Sequence, residues 1–408
     1  MHLAHLARLR CPLCASPLAV ASAVDLRDEV LWWGLLGCGC REAHAVVDGI
    51  ALLVHAMDPR GAEARARLAA GREGLPGWLT EVRQRWALGL PSLAPRDTGL
   101  AAIADAGGGD FYDYFAWKWA TRSFATGVAL LGAAPPGLLV DVACGLGHLS
   151  WARARLSPGD PIVAIDNCLT FLQAGRALGL LPPPASGALV CADANLGLPV
   201  ADGAAAAVLV SDGLHYFVRP SRVLAGARRA LGAHGVLVLN HLHNAEQAAD
   251  EPQQGRSLPV PRWSALVEAA GFAHHVIHAD QDVIRSMGEG DALPPGAPPE
   301  DLRGERSVSI LAAAAPVHGR RPGVLPDDGA PLALNPIFRF EPGSRRAAVR
   351  VWPSPFFAAE HGSPLFPARV SWSEPPAPGE RRALIARLTW VALPPGYVEP
   401  AQLVEPGC

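Results

Sequence analysis

Lysine is almost missing from this 408-residue chain: Lys118 is the only one, and Lys and Arg together number 35 against 38 Asp and Glu. With a net charge of −3 and no concentrated basic run, there is no global electrostatic case for nucleic acid or an anionic membrane surface. Charged residues make up only 18% and apolar residues 50%, against roughly 25% charged in ordinary globular chains. That excludes a largely disordered chain and leaves material for a large core. No apolar run approaches the ~18 residues of a membrane span. Arg8 and Arg10 stand where a secretory signal would carry its apolar stretch. A cytoplasmic protein of two or three structural units is the expectation. No internal repeat is present.

Cysteine is concentrated in two places. Four of the eight lie in the first 40 residues, and three more lie between 144 and 191. Clustering of this kind suits a metal site in a reducing compartment better than a disulfide framework. Cys11-Pro-Leu-Cys14 and Cys38-Gly-Cys40 bracket a hairpin-length insert containing the strand-like Val30-Leu-Trp-Trp33. If each pair sits on a tight turn, four sulfurs reach one tetrahedral, structural Zn²⁺. Buried or redox-active cysteines are the competing reading, and His44 is an alternative fourth ligand. A unit this small lacks core area, so a bound metal would supply its folding energy. Together with Val47-Asp48-Gly49-Ile50-Ala-Leu-Leu-Val54, these pairs resemble the zinc-ribbon family that includes the small activator subunit of tRNA and protein methyltransferases. The resemblance covers about the first 55 residues. It departs at His44 and Ala45, where an aromatic residue and proline are usual.

Further on, Leu138-Leu-Val-Asp141-Val-Ala143-Cys-Gly145-Leu-Gly147 is an apolar run ending in a glycine turn, followed by a helix-like His148 to Arg155. The pattern is that of a buried parallel strand entering a helix, with glycines that let backbone approach a ligand. A second apolar run ends at Asp166, about 20 residues on, where a dinucleotide fold places its ribose-binding acid. The third glycine of the dinucleotide pattern is absent: position 150 is Ser150. That gap and the acid at Asp193 argue against an NAD-dependent oxidoreductase, the competing reading.

Residues 110 to 275 resemble class I S-adenosylmethionine-dependent methyltransferases. The motifs are Val140-Asp-Val-Ala-Cys-Gly-Leu-Gly147, Asp166, Ala188-Leu-Val-Cys-Ala-Asp193-Ala194-Asn195, Leu198-Pro-Val-Ala-Asp202-Gly203, Ala207 to Tyr216, and Gly235 to Leu239. The resemblance implies an α/β fold with a seven-stranded, mostly parallel, doubly wound, Rossmann-like sheet. It implies S-adenosylmethionine as cofactor, held by Asp141, Ala143, Gly145, Gly147, Asp166, Asn167, Asp193, Ala194 and Ser211. Tyr112 or Tyr114, in the aromatic run Asp110 to Trp119, is a further pocket candidate; most of that run is expected to pack as core.

Ligands of open α/β sheets bind beyond the carboxyl ends of the strands. Ser211, Asp212, His215 and Tyr216 follow the fourth strand, and Asn240-His241-Leu-His243-Asn244 follows the fifth. Where the methyl acceptor must lose a proton, histidine suits the role of base. His241 and His243 are the first candidates and His215 the second, with a packing role as its alternative. Cys144 and Cys168 are read as small core residues.

The expected organisation is a zinc ribbon at 1–56, a helical linker at 57–107, a catalytic domain at 108–280 and a proline-rich accessory region at 281–408. Short ordered segments are expected near 334–340 and 349–357, with a helix over Glu380 to Leu393. Glu360-His361 is read as a solvated loop. The expected activity is methyl transfer to a small molecule, a sugar or secondary metabolite, at O or N. The alternatives are an RNA methyltransferase gripping RNA with the ribbon, and a non-catalytic docking protein. A protein partner through the ribbon or the C-terminal region fits the architecture; nucleic acid fits less well, and a membrane does not.

Overall fold

The computed structural model describes residues 1–85, 115, 117–247, 255–289, 292–316, 320–394 and 403–404. Four N-terminal strands come first: β1 (Ala19–Arg27), β2 (Val30–Gly37), β3 (Ala43–Val47) and β4 (Ile50–Leu52). Seven more follow: β5 (Leu139–Val142), β6 (Ile162–Asp166), β7 (Gly187–Cys191), β8 (Ala205–Ser211), β9 (Leu231–His243), β10 (His274–Ala279) and β11 (Ser307–Ala313). All belong to one sheet, in the order β1-β2-β3-β4-β7-β6-β5-β8-β9-β11-β10.

The central strands are parallel, and β11 runs antiparallel between β9 and β10. This is a mixed α/β sheet, parallel at its centre, as expected. Strands β5, β6 and β7 are buried at every position, as continuous apolar runs require when helices cover both faces. The covering helices carry their own signals. Pro220–Ala230 has proline in its first turn and buries Val223, Leu224, Ala227 and Ala230, a single stripe at helical spacing.

The boundaries drawn from sequence move in three places. The sheet does not end at 280, because β11 lies inside it. The region read as a ribbon is not a separate lobe: β4 pairs in parallel with β7, Ile50 opposite Leu189 and Leu52 opposite Cys191. The helices of the expected linker, Pro59–Ala69 and Leu75–Arg85, join the same core, with Trp78 against Trp33 at 6.2 Å between ring centroids. The remainder of that stretch lies outside the described residues.

The C-terminal region forms two small sheets, Ala333–Leu334 with Trp390–Val391, and Phe338–Phe340, Ala347–Arg350 and Arg369–Ser371. It shares a hydrophobic core with the catalytic sheet's helices, since Phe366, Leu388 and Trp390 belong to the cluster containing Trp119, Phe124 and Leu149. The expected helix over Glu380 to Leu393 is shorter, Pro378–Ala386. Leu388 adopts φ +54°, which ends the helical path and turns Trp390–Val391 into a strand. Leu384, Ile385, Leu388 and Val391 are all buried, but from two elements rather than one helical face.

Candidate active site and thiol cluster

The glycine turn after β5 is left-handed at Ala143, Gly145 and Gly147, with φ of 57°, 55° and 92°. At Gly147 a Cβ would lie 2.3 Å from Leu181 Cδ2, so both conformation and space demand glycine there. Gly147 caps the helix His148–Leu156. Ser150, in place of the third glycine, donates its hydroxyl to Asp141 Oδ2 at 2.7 Å. Asp141 is thus bonded to the helix following the turn rather than to the turn itself. Burial pushes its carboxyl up to about 7, against the lowering effect of the Ser150 bond.

Asp166, at the end of β6, accepts Gly145 N–H on Oδ2 and Cys168 N–H on Oδ1, each at 2.8 Å. A carboxylate offers about four lone-pair sites, so capacity remains on both oxygens for two ribose hydroxyls. Burial raises its pKa, opposed by these backbone N–H groups. Asn167 is exposed beside it, with its carbonyl accepting from Arg60 at 2.6 Å. After β7, Asp193 Oδ1 takes Asn195 N–H at 2.9 Å, and Ala194 is buried. Cys168 and Cys191 are packed thiols, pushed by burial to about 11 and about 12. Phe115 and Trp119 pack as core, Trp119 edge-on to Phe124, His148 and Trp151 at 5.0–5.1 Å. Tyr112 and Tyr114 lie outside the described residues.

The acceptor side is built where β8 ends at Ser211 and β9 runs on past it to His243, so that His241 and His243 lie within the strand rather than after it. Ser211 pairs with Asn240, and immediately beyond, Asp212 and His241 both adopt left-handed φ, 51° and 58°. Two such non-glycine residues side by side mark a strained and over-determined turn. A Cβ on the next residue, Gly213, would lie 3.1 Å from Ala143 Cβ, so this turn abuts the glycine turn of the cofactor side.

Asp212 Oδ2 accepts from Lys118 Nζ at 3.3 Å. Its Oδ1 lies 3.4 Å from His243 Nε2 and 3.9 Å from His215 Nε2. Burial alone would raise Asp212, but Lys118 and the histidines hold it well below the ordinary carboxylate range. His241 Nδ1 and Asp280 Oδ2 are 2.5 Å apart, and Ser309 donates to Asp280 Oδ1 at 2.6 Å. Burial works against the His241 cation, yet Asp212 and Asp280 outweigh it and raise the pKa. Neither ring nitrogen of His215 has a hydrogen-bond partner among the described residues, and burial lowers its pKa to about 3.

The two asparagines of the run prove structural. Asn240 ties Ser123 O, Ser211 Oγ and Thr126 Oγ1 together, and Asn244 donates to Arg303 O and Glu305 O. The helix Pro355–His361 is capped by Ser354, and Arg122 donates to Gly362 O just beyond it at 2.6 Å. Glu360-His361 is therefore not a solvated loop: His361 is buried, ring to ring with Phe357 at 4.4 Å. Lys118 and Asp280 were absent from the candidates drawn from sequence. Asp280 sits one residue past β10, and only the return of β11 brings it to β9.

At the far edge of the sheet, the sulfurs of Cys11, Cys14, Cys38 and Cys40 all lie within 4.8 Å of one another. Cys11 Sγ is 3.9 Å from Cys40 Sγ and 3.4 Å from His44 Nε2, and Cys38 Sγ is 3.1 Å from Cys40 Sγ. Zn–S bonds of ~2.3 Å correspond to a tetrahedral edge of about 3.8 Å, so the cluster fits one ion, with His44 placed to hydrogen-bond a ligand rather than replace it.

Residues 140–239 match the family described as methyltransferase domain. No curated protein matches. Among solved structures, a complex of the Haloferax volcanii Trm112 methyltransferase activator with a methyltransferase is 18% identical, covering 54% of this chain and 98% of that one, with a TM-score of 0.38. An S-adenosylmethionine-dependent methyltransferase of Thermotoga maritima is 15% identical over 53% of this chain and all of that one, TM-score 0.34. Phosphoethanolamine N-methyltransferase 2 of Haemonchus contortus is 12% identical, covering 45% and 49%, TM-score 0.35. Likeness at this level says nothing of acceptor or partner. The chain carries a methyltransferase domain, and the class that this domain defines is the S-adenosylmethionine-dependent methyltransferases. No helix among the described residues is long and apolar enough to cross a membrane.

Proposed function

We propose that the protein methylates a hydroxyl or amine of a small molecule, of the sugar or secondary-metabolite kind, over the polar cluster at the ends of β8 and β9. The observation that carries this reading is a set of three buried histidines, His215, His241 and His243, around the half-buried Asp212, abutting the glycine turn. Buried histidines suit a small acceptor better than a polynucleotide, and the single lysine points the same way.

S-adenosylmethionine, when bound, supplies an electrophilic methyl for in-line displacement, which needs alignment above all. Asp166 would hold the ribose hydroxyls, Asp193 and Ala194 the adenine, and Asp141 the amino end of the methionine. Of the three histidines we assign the acceptor's proton to His215, whose nitrogens are uncommitted among the described residues, whereas His241 Nδ1 is engaged by Asp280; burial keeps His215 neutral but, at a pKa of about 3, a weak base. This reverses the order expected from sequence. The four thiols would hold a structural Zn²⁺.

Calorimetric titration with S-adenosylmethionine and S-adenosylhomocysteine tests the cofactor site. One-to-one binding is expected, weakened at least ~10-fold in Asp166→Ala, the loss of roughly one charge-assisted hydrogen bond. Equal binding by wild type and variant would overturn the assignment. With an acceptor in hand, His215→Asn should lower turnover ~10²-fold or more at unchanged cofactor affinity. An unchanged rate would return His215 to packing.

A further inference from the structure

We propose that Asp212, His241 and His243 form a second metal site, for a divalent first-row transition ion, beside the methyl-transfer centre. It rests on the acceptor-site reading only for its place in the reaction, not for its existence. One ligand atom from each of the three residues lies within 4.8 Å of the others. Two imidazoles and one carboxylate are a donor set for zinc, iron or cobalt rather than for magnesium or calcium, which take oxygen.

The details of each residue agree. Asp212 divides its oxygens: Oδ2 is taken by Lys118, while Oδ1 faces His243 Nε2 at 3.4 Å. That is long for a charge-assisted hydrogen bond, ordinarily ~2.7–2.9 Å. It equals the edge of a tetrahedron drawn with metal–ligand bonds of about 2.1 Å. His241 has its Nδ1 on the Asp280 carboxylate at 2.5 Å, and Asp280 is itself fixed by Ser309. A metal-bound histidine almost always gives its other ring nitrogen to a carboxylate or carbonyl in this way, leaving Nε2 for the ion.

Charge points the same way. Asp280 is buried and Asp212 nearly so, and two carboxylates drawn out of water at one place favour a cation. Three protein ligands leave at least one coordination position open. An acceptor hydroxyl filling it would lie next to His215, whose Nε2 is 3.9 Å from the same Asp212 oxygen.

The full-length, zinc-loaded protein titrated with Co²⁺ tests this. One equivalent beyond the thiol-bound metal is expected, with weak d–d absorption and no sulfur-to-cobalt charge transfer. His241→Ala and His243→Ala should each weaken it more than 10-fold, and Asp280→Asn, a positioning residue, by ~10–100-fold, with S-adenosylhomocysteine affinity kept as the control for folding. Should the alanine variants not fold, hyperfine-shifted imidazole N–H resonances in wild-type Co²⁺ protein give the same answer. Absence of the extra equivalent overturns the site, as does its undiminished retention in the double histidine variant, or charge-transfer bands assigning it to thiolate. Metal binding without cofactor binding would overturn the methyltransferase reading and leave this one standing.

Discussion

Asp141 is buried at the strand end that meets the glycine turn, and the price of its ionisation is legible in its environment. Burial raises it to about 7, with Asp166 adding to the rise and Ser150 and Lys118 opposing it. The sign follows from proton linkage. An unfolded aspartate ionises near 3.9, so between there and about 7 the folded chain holds the extra proton and stability falls as pH rises. Three pH units correspond to on the order of 4 kcal/mol, an upper bound. Urea unfolding of wild type and Asp141→Asn from pH 4 to 8 should therefore show the variant gaining on wild type as pH rises, with the gain levelling off above 7. A difference independent of pH would show that Asp141 ionises normally in the fold. At this scale the sequence was readable where chemistry is local. The left-handed turn, Asp166 and the four cysteines all stand in short motifs. It was silent on Asp280, whose partner His241 lies on another strand, and on Ser150, whose hydroxyl mattered more than the glycine it displaced.

Elements were legible where apolar runs are long. Strands β5 to β9 appear where the runs predicted them, because burial on both faces leaves no polar interruption. The C-terminal helix was overextended because Leu388 and Val391 fall at helical spacing by coincidence. Periodicity cannot see a left-handed residue between them. The helix Pro355–His361 is not legible in the sequence because a turn or two carries little pattern. A tighter contact fixes this region to the helix Arg122–Gly132: Gly323 donates its N–H to Ala129 O at 2.7 Å. A Cβ at Gly132 would lie 2.1 Å from the Gly323 nitrogen. Alanine normally stabilises a helix by ~1 kcal/mol over glycine, but here the atom it meets is backbone and cannot swing aside. Overpacking at ~1–3 kcal/mol wins. Gly132→Ala should lower the thermal midpoint, and a rise instead would show that the C-terminal region sits loosely on this helix.

The whole molecule is continuous in a way that linear reading could not show. Sequence suggested a ribbon too small for its own core and dependent on zinc. In the fold its core is shared: Leu9, Cys11, Leu36 and Val46 lie in one cluster with Val163, Val190 and Val200. Two seams join the parts, β4 on β7 and the Arg8–Arg10 backbone on residues 199–201, through Arg10 N–H to Pro199 O and Ala201 N–H to Arg8 O. A cross-sheet seam follows from where β4 meets residues 139 positions later, Ile50 opposite Leu189, information that no local pattern contains. The consequence concerns cooperativity. An independent zinc domain would melt by itself on loss of metal, whereas a ribbon built into the sheet must take part of the sheet with it. Scanning calorimetry of Cys11→Ser/Cys14→Ser should show a single transition shifted to lower temperature, with faster amide exchange at Arg10, Leu53 and Ala201. Two resolved transitions, the main one unmoved, would mean that the ribbon folds apart from the catalytic sheet and that the β4–β7 seam contributes little to it.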